Sequence, residues 1–233
     1  MKIVIATLKS WNIEHAEKLK AELEPGHEVL IMSSKDELSV ENIEKIKPDF
    51  IFFPHWSYII PADIYDKYNC VVFHMTDLPY GRGGSPLQNL IVRGHKDTKI
   101  SAIKVTAGID EGPVYFKENL SLDGSADEIF RRLSDVVFNK MIPRFLSEDL
   151  KPIPQEGEPV VFKRRKPWES ELTPEMTLST VYDYIRMLDA EGYPSAFCNY
   201  GDKRMEFKAA EYGTDENGEY VRATVIFRRK ENE

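Results

Sequence analysis

Six short apolar runs dominate the first half of the chain, and segments with apolar residues at helical spacing lie between them. The runs are Lys2 to Thr7, His27 to Met32, Phe50 to Phe53, Cys70 to His74, Ile100 to Val105 and Val114 to Lys117. Phe50-Ile51-Phe52-Phe53 is apolar at every position, as a strand covered on both faces must be. Ile13, Ala16, Leu19 and Leu23 mark a helix beginning near Asn12, and shorter helices fit Ser39 to Ile46, the residues after Pro61, and Ser85 to Arg93. Asp123 to Leu146 predicts one long helix with Ser125 as its N-cap. Strand and helix alternating at this spacing imply an α/β fold: a doubly wound, mainly parallel sheet with helices on both faces.

Residues 1–150 therefore read as the main domain. Residues 151–161 carry three prolines (Pro152, Pro154 and Pro159) and read as a linker. Residues 162–233 form a small C-terminal subdomain, a helix over Leu178 to Leu188 plus a β-hairpin turned at Asn217-Gly218. Order is expected everywhere except in the last few residues.

Composition narrows the partners. The formal net charge of -8 argues against nucleic acid, which favours a basic face. Cys70 and Cys198 stand apart, without a CxxC or a histidine cluster, so no metal site is expected. The N-terminal run is too short for a signal sequence or a membrane span, which predicts a cytoplasmic chain with no membrane partner. The edge of the C-terminal hairpin could pair two subunits into a homodimer.

No GxGxxG or GxxxxGK[ST] pattern follows any run, which disfavours a dinucleotide cofactor. The chemistry instead centres on Val71-Val72-Phe73-His74, which delivers a histidine to a strand end, and on Gly108-Ile109-Asp110-Glu111-Gly112, where a neighbouring strand is expected to run out at a lone aspartate. His74 could be a core histidine and Asp110 a turn residue, but ligands bind at the C-terminal edge of such sheets. Together they make an acid/base pair the leading reading.

Three motifs carry a resemblance: His74 with Leu78-Pro79, Arg82-Gly83 with Pro86, and Ile109-Asp110 with Gly112-Pro113. The set resembles the formyltransferase superfamily that uses N10-formyltetrahydrofolate. The tail, Tyr184 to Asp189 and Gly192 to Phe197, is similar to its transfer-RNA and sugar branches. The resemblance implies a Rossmann-like catalytic domain in which His74 and Asp110 flank the transferred formyl group. An asparagine two residues before the histidine would steady the oxyanion, a contribution of roughly 3–4 kcal/mol for one donor. Val72 stands there instead. His55, after the third run, is the candidate replacement, with a loop histidine of no role as the alternative.

The resemblance further implies a pterin pocket walled by Trp56, Ser57, Tyr58 and Ile59 on one side and by Thr106, Ala107, Gly108 and Ile109 on the other. Lys9, Trp11, Asn12, Thr76 and Arg82 fall where the acceptor would bind, although a solvated surface charge is the default reading of Lys9 and Arg82. Folate serves as co-substrate and no metal is required. The short tail and acidic charge favour a nucleotide-linked amino sugar as acceptor, as in the sugar N-formyltransferases of pseudaminic-acid type; the peptide-synthetase formylation domains are similar around His74. Two alternatives stay open: formylation of methionyl-tRNA or a carrier-bound aminoacyl group, and an impaired folate- or nucleotide-binding protein.

Overall fold

A computed structural model describes residues 1–230. The expected disordered end falls on residues 231–233, outside the described residues. The chain makes two compact units: Met1–Gly83, Thr98–Leu120 and Arg131–Val161 in the first, and Gly84–Asp97, Ser121–Phe130 and the chain from Phe162 onward in the second.

The first unit is built on a six-stranded sheet. Its strands are β1 (Lys2–Ala6), β2 (Glu28–Met32), β3 (Phe50–Phe53), β4 (Asn69–His74), β6 (Asp97–Lys104) and β7 (Val114–Ser121), in the order β2-β1-β3-β4-β6-β7. Two short strands, β5 (Tyr80–Gly83) and β8 (Val160–Phe162), lie outside that sheet. The pairs β1–β2, β1–β3 and β3–β4 are parallel. Helices α1 (Ser10–Leu23), α2 (Val40–Ile46) and α3 (Ala62–Tyr65) make the crossovers. Ile3, Val4, Ile5, Ile51, Phe52 and Phe53 are wholly buried. Each such side chain contributes about 1.5–3 kcal/mol of transfer free energy, which is why these runs become central strands. The Ser39 hydroxyl accepts from the Asn42 N–H at 3.2 Å and starts α2.

One strand breaks the parallel pattern. β6 runs antiparallel to β4, with His74 opposite Ser101 and Val71 opposite Lys104. The end of β6 therefore lies beside the start of β4, not beside His74. The expectation that Asp110 closes a neighbouring strand at the same sheet edge is corrected accordingly: residues 105–113 carry it there as a loop.

The second unit holds α4 (Pro86–Ile91), α7 (Leu178–Arg186) and a three-stranded antiparallel sheet, β11-β10-β9, of β9 (Ala196–Tyr200), β10 (Lys203–Asp215) and β11 (Gly218–Arg229). The last two turn at Asn217, so the sequence pattern located the hairpin. Arg186 is buried yet satisfied: it donates to Asp183 Oδ1 at 2.7 Å and to the carbonyls of Leu122 and Gly124. A buried guanidinium is tolerated only with partners of this kind.

The predicted long helix is interrupted. α5 (Ala126–Val136) and α6 (Ile142–Ser147) are joined by a π-helical turn over Val137–Met141. Ser125 and Glu128 cap its start reciprocally, Glu128 N–H to Ser125 Oγ at 3.3 Å and Ser125 N–H to Glu128 Oε2 at 2.7 Å. No described helix is long and apolar enough to cross a membrane.

Candidate active site

Strand β4 ends with Phe73 buried and His74 only 8% exposed, so the imidazole stands where sheet packing fixes its backbone. Nε2 lies 2.8 Å from the Gly81 carbonyl oxygen. A carbonyl only accepts, so Nε2 carries a proton and donates it. The Thr76 hydroxyl donates to the same oxygen at 3.3 Å, filling its second lone pair. The other ring nitrogen, Nδ1, faces Asp110 Oδ1 at 3.5 Å. In the neutral ring Nδ1 is a lone pair turned toward a carboxylate, and the seat between them is where an incoming proton is stabilised.

Asp110 is held from two sides. Its Oδ2 accepts from the Gly83 N–H at 2.9 Å, while its backbone adopts a left-handed φ of 55°. Aspartate tolerates that region better than most residues, yet it still costs about 1 kcal/mol. The turn is crowded: a Cβ on Gly112 would sit 1.7 Å from the Lys104 carbonyl oxygen, so only glycine fits there.

Sequence reasoning missed Gln155. Its Nε2 donates to the carbonyls of Asp110 and Gly112, both at 2.8 Å, and its Oε1 accepts from Arg82 Nε at 3.1 Å and Nη2 at 2.9 Å. The segment that carries it lies along the first unit: Ile153 and Val114 exchange two backbone bonds of 2.8 Å, and the Val160 N–H donates to the Pro79 carbonyl. Nothing periodic in Pro152 to Pro159 marks Gln155, because its partners are distant in sequence.

Several expected acceptor contacts are corrected by burial. Trp11 is 1% exposed and Asn12 wholly buried. The Asn12 amide donates to Thr7 Oγ1 and the Pro54 carbonyl, and its oxygen accepts from the Ser134 hydroxyl. Thr76 is also wholly buried. None of the three presents a surface to a ligand. Arg82 is committed to Gln155 and to Glu111, whose Oε1 lies 3.5 Å from Nη1, so it braces the site instead of waiting for a phosphate. Lys9 lies partly exposed with Nζ 5.5 Å from the Trp11 ring centroid.

His55 also has a backbone φ of 55°, and its ring meets Trp11 edge-on at 5.9 Å. Desolvation, reinforced by the Lys9 ammonium, lowers its pKa to about 4. It is therefore neutral at pH 7 and can donate or accept a hydrogen bond as an uncharged ring.

The two loops expected to wall a pterin both border one apolar cluster, against which Trp56 and Val105 pack. Ser57, Tyr58, Ile59, Thr106, Ala107 and Ile109 are exposed, Ile59 at 85% and Ile109 at 68%; Gly108 is partly covered. The buried Trp56 indole N–H has no hydrogen-bond partner among the described residues. An orphaned donor beside apolar rims fits a flat heteroaromatic ring with acceptor atoms. A separate hollow lined by Leu30, Met32, Glu37, Asn42 and Lys45 lies along β2 and α2, away from this chemistry.

A family model described as "Formyl transferase" matches residues 17–144, more than half of the chain. The chain belongs to the formyl transferase family. A second model, described as "Methionyl-tRNA formyltransferase, C-terminal domain", matches residues 167–228. Among solved structures, methionyl-tRNA formyltransferase from Clostridium thermocellum is 54% identical over 99% of this chain and 100% of that one, with a TM-score of 0.95. HypX from Aquifex aeolicus, solved with tetrahydrofolic acid, matches 93% of this chain and 38% of its own at 22% identity and a TM-score of 0.75, a likeness of fold. Among curated proteins, methionyl-tRNA formyltransferase of Rickettsia felis is 26% identical over 82% of this chain and 64% of its own length. This chain thus spans somewhat under two thirds of that relative.

The superfamily and the doubly wound fold with its C-terminal sheet are as the sequence implied. The acceptor is not. A nucleotide-linked amino sugar, its place in glycan biosynthesis and the exclusion of nucleic acid are overturned, because the highly identical full-length structure and the curated relatives are named for methionyl-tRNA. The Clostridium protein has the same extent as this chain, so a short tail does not distinguish the two acceptors. A net charge of -8 is a sum over the whole surface and is silent about any local face.

Proposed function

We propose that this chain transfers a formyl group from N10-formyltetrahydrofolate to the amine of methionine esterified to tRNA. The observation that carries the reading is the 54% identity to methionyl-tRNA formyltransferase from Clostridium thermocellum along the full length of both chains. The co-substrate brings the formyl carbon activated on a ring-flanked nitrogen, and the loops bearing Trp56, Tyr58, Ile59 and Ile109 would hold it.

The residues divide the remaining work. The attacking amine must shed a proton, and His74 Nδ1 is the ring nitrogen free to take it while Nε2 is committed to Gly81. Asp110 then stabilises the imidazolium, and the Gly83 N–H keeps its carboxylate from rotating away. As the tetrahedral intermediate collapses, the imidazolium returns that proton to the folate N10, the carbon–N10 bond breaks and tetrahydrofolate leaves. Val72 cannot offer a hydrogen bond, so the developing oxyanion depends on other donors. A cytoplasmic location accompanies this reading.

The test is formylation of charged tRNA. Purified protein, N10-formyltetrahydrofolate and methionyl-tRNA should yield formylmethionyl-tRNA, with uncharged tRNA and free methionine inert. Absence of product from charged tRNA, with folded protein and intact formyl donor, would overturn the proposal.

A further inference from the structure

We propose that Gln155 is a positioning residue: it holds the Asp110 turn in the orientation that faces His74. The inference rests on the formyl-transfer reading of the same site. Every hydrogen-bonding position of its side-chain amide is used. Both N–H groups reach carbonyls, of Asp110 and Gly112, and both lone pairs of Oε1 face the Arg82 guanidinium. The partners also fix which way the amide points, since arginine only donates and carbonyls only accept.

The backbone explains how a residue so distant arrives there. Ile153 pairs with Val114 in antiparallel fashion. Two residues further along each strand, Gln155 stands opposite Gly112, and its side chain takes over where the ladder stops. Asp110 is then restrained twice, its carboxylate by the Gly83 N–H and its backbone carbonyl by Gln155. Gly83 follows Arg82 directly, so one amide couples the β5 segment to the Asp110 turn.

Removing the amide frees a carbonyl whose residue already sits at a left-handed φ. A displacement of about 1 Å at a reacting group can cost roughly 10²-fold in rate. Gln155→Ala should therefore lower kcat roughly 10²-fold with the KM values for both substrates unchanged. Gln155→Glu keeps the length and the Arg82 contact but lacks the N–H groups, so it should fall as far and serves if the alanine variant does not fold. Placed on Asp110→Ala, Gln155→Ala should cost nothing more, because the residue acts through Asp110.

A second readout needs no substrate. The His74 ring 15N signal, recorded at one pH, should move in Gln155→Glu toward its position in Asp110→Ala. Wild-type protein without activity on charged tRNA would sink the functional reading and leave this signal to decide the positioning role. An unmoved ring signal, or full turnover in both Gln155 variants of an active protein, overturns the proposal.

Discussion

His74 presents Nδ1 to Asp110 Oδ1 at 3.5 Å while its Nε2 is tied to the Gly81 carbonyl at 2.8 Å. The ring is thereby oriented and its tautomer chosen before any substrate arrives. His74→Ala should remove the proton acceptor and Asp110→Asn the anion facing it. General acid–base groups contribute roughly 10²–10⁴-fold, so each variant should lose kcat on that scale. Steady-state formylation beside thermal melting checks this; near-normal turnover in either variant excludes the assigned role.

Asn12 offers a converse case, a polar residue at an expected acceptor position that the structure buries. Asn12→Ala would remove its buried bonds to the Pro54 carbonyl, Thr7 and Ser134, while the Thr7 hydroxyl still donates to that carbonyl at 2.7 Å. The cost to stability should be roughly 2–4 kcal/mol, with the KM for charged tRNA unchanged. Urea unfolding and initial rates on the folded fraction separate the two effects. A raised KM at unchanged stability would restore Asn12 to the acceptor site.

His55 makes stability depend on pH. Its folded pKa of about 4 lies below its ordinary 6.5 because desolvation, aided by Lys9, disfavours the charged ring. Between those values the unfolded chain binds a proton that the folded chain refuses, so stability falls as pH drops from about 6.5 to about 4. The total for this group is about 3–4 kcal/mol. His55→Gln should flatten that part of the profile in urea titrations at pH 7 and pH 4.5. An unchanged slope would mean that the ring is readily protonated in the folded state.

What the sequence disclosed follows from the range over which each feature is determined. β1, β3 and β4 are legible because short apolar runs bounded by turn residues suit strands covered on both faces, and His74 is legible as the polar residue ending one of them. The direction of β6 was hidden, since antiparallel pairing to β4 depends on where the chain re-enters the sheet and leaves no periodicity of its own. Gln155 was hidden for a similar reason: it bonds Arg82 across 73 positions and Asp110 across 45, from a segment whose prolines suggest only a linker. The acceptor was misjudged from total charge and tail length, neither of which reports on a local surface.

Gly112 tests whether the Asp110 turn is set by sterics. An alanine there would place its Cβ 1.7 Å from the Lys104 carbonyl oxygen, a backbone atom that cannot swing aside, so the turn itself must move. Overpacking of this kind costs about 1–3 kcal/mol, and Asp110 lies only two residues away. Gly112→Ala should thus lose roughly 10²-fold in kcat in addition to its stability loss. Gly94 supplies the control: it has a φ of 78° but open space around its Cβ position. Gly94→Ala should cost about 1–2 kcal/mol through backbone conformation alone and leave kcat intact. Rates and urea midpoints for the pair decide the matter: equal kcat in both variants would show that Asp110 keeps its place when its turn is displaced, and that the crowding at Gly112 serves the fold alone.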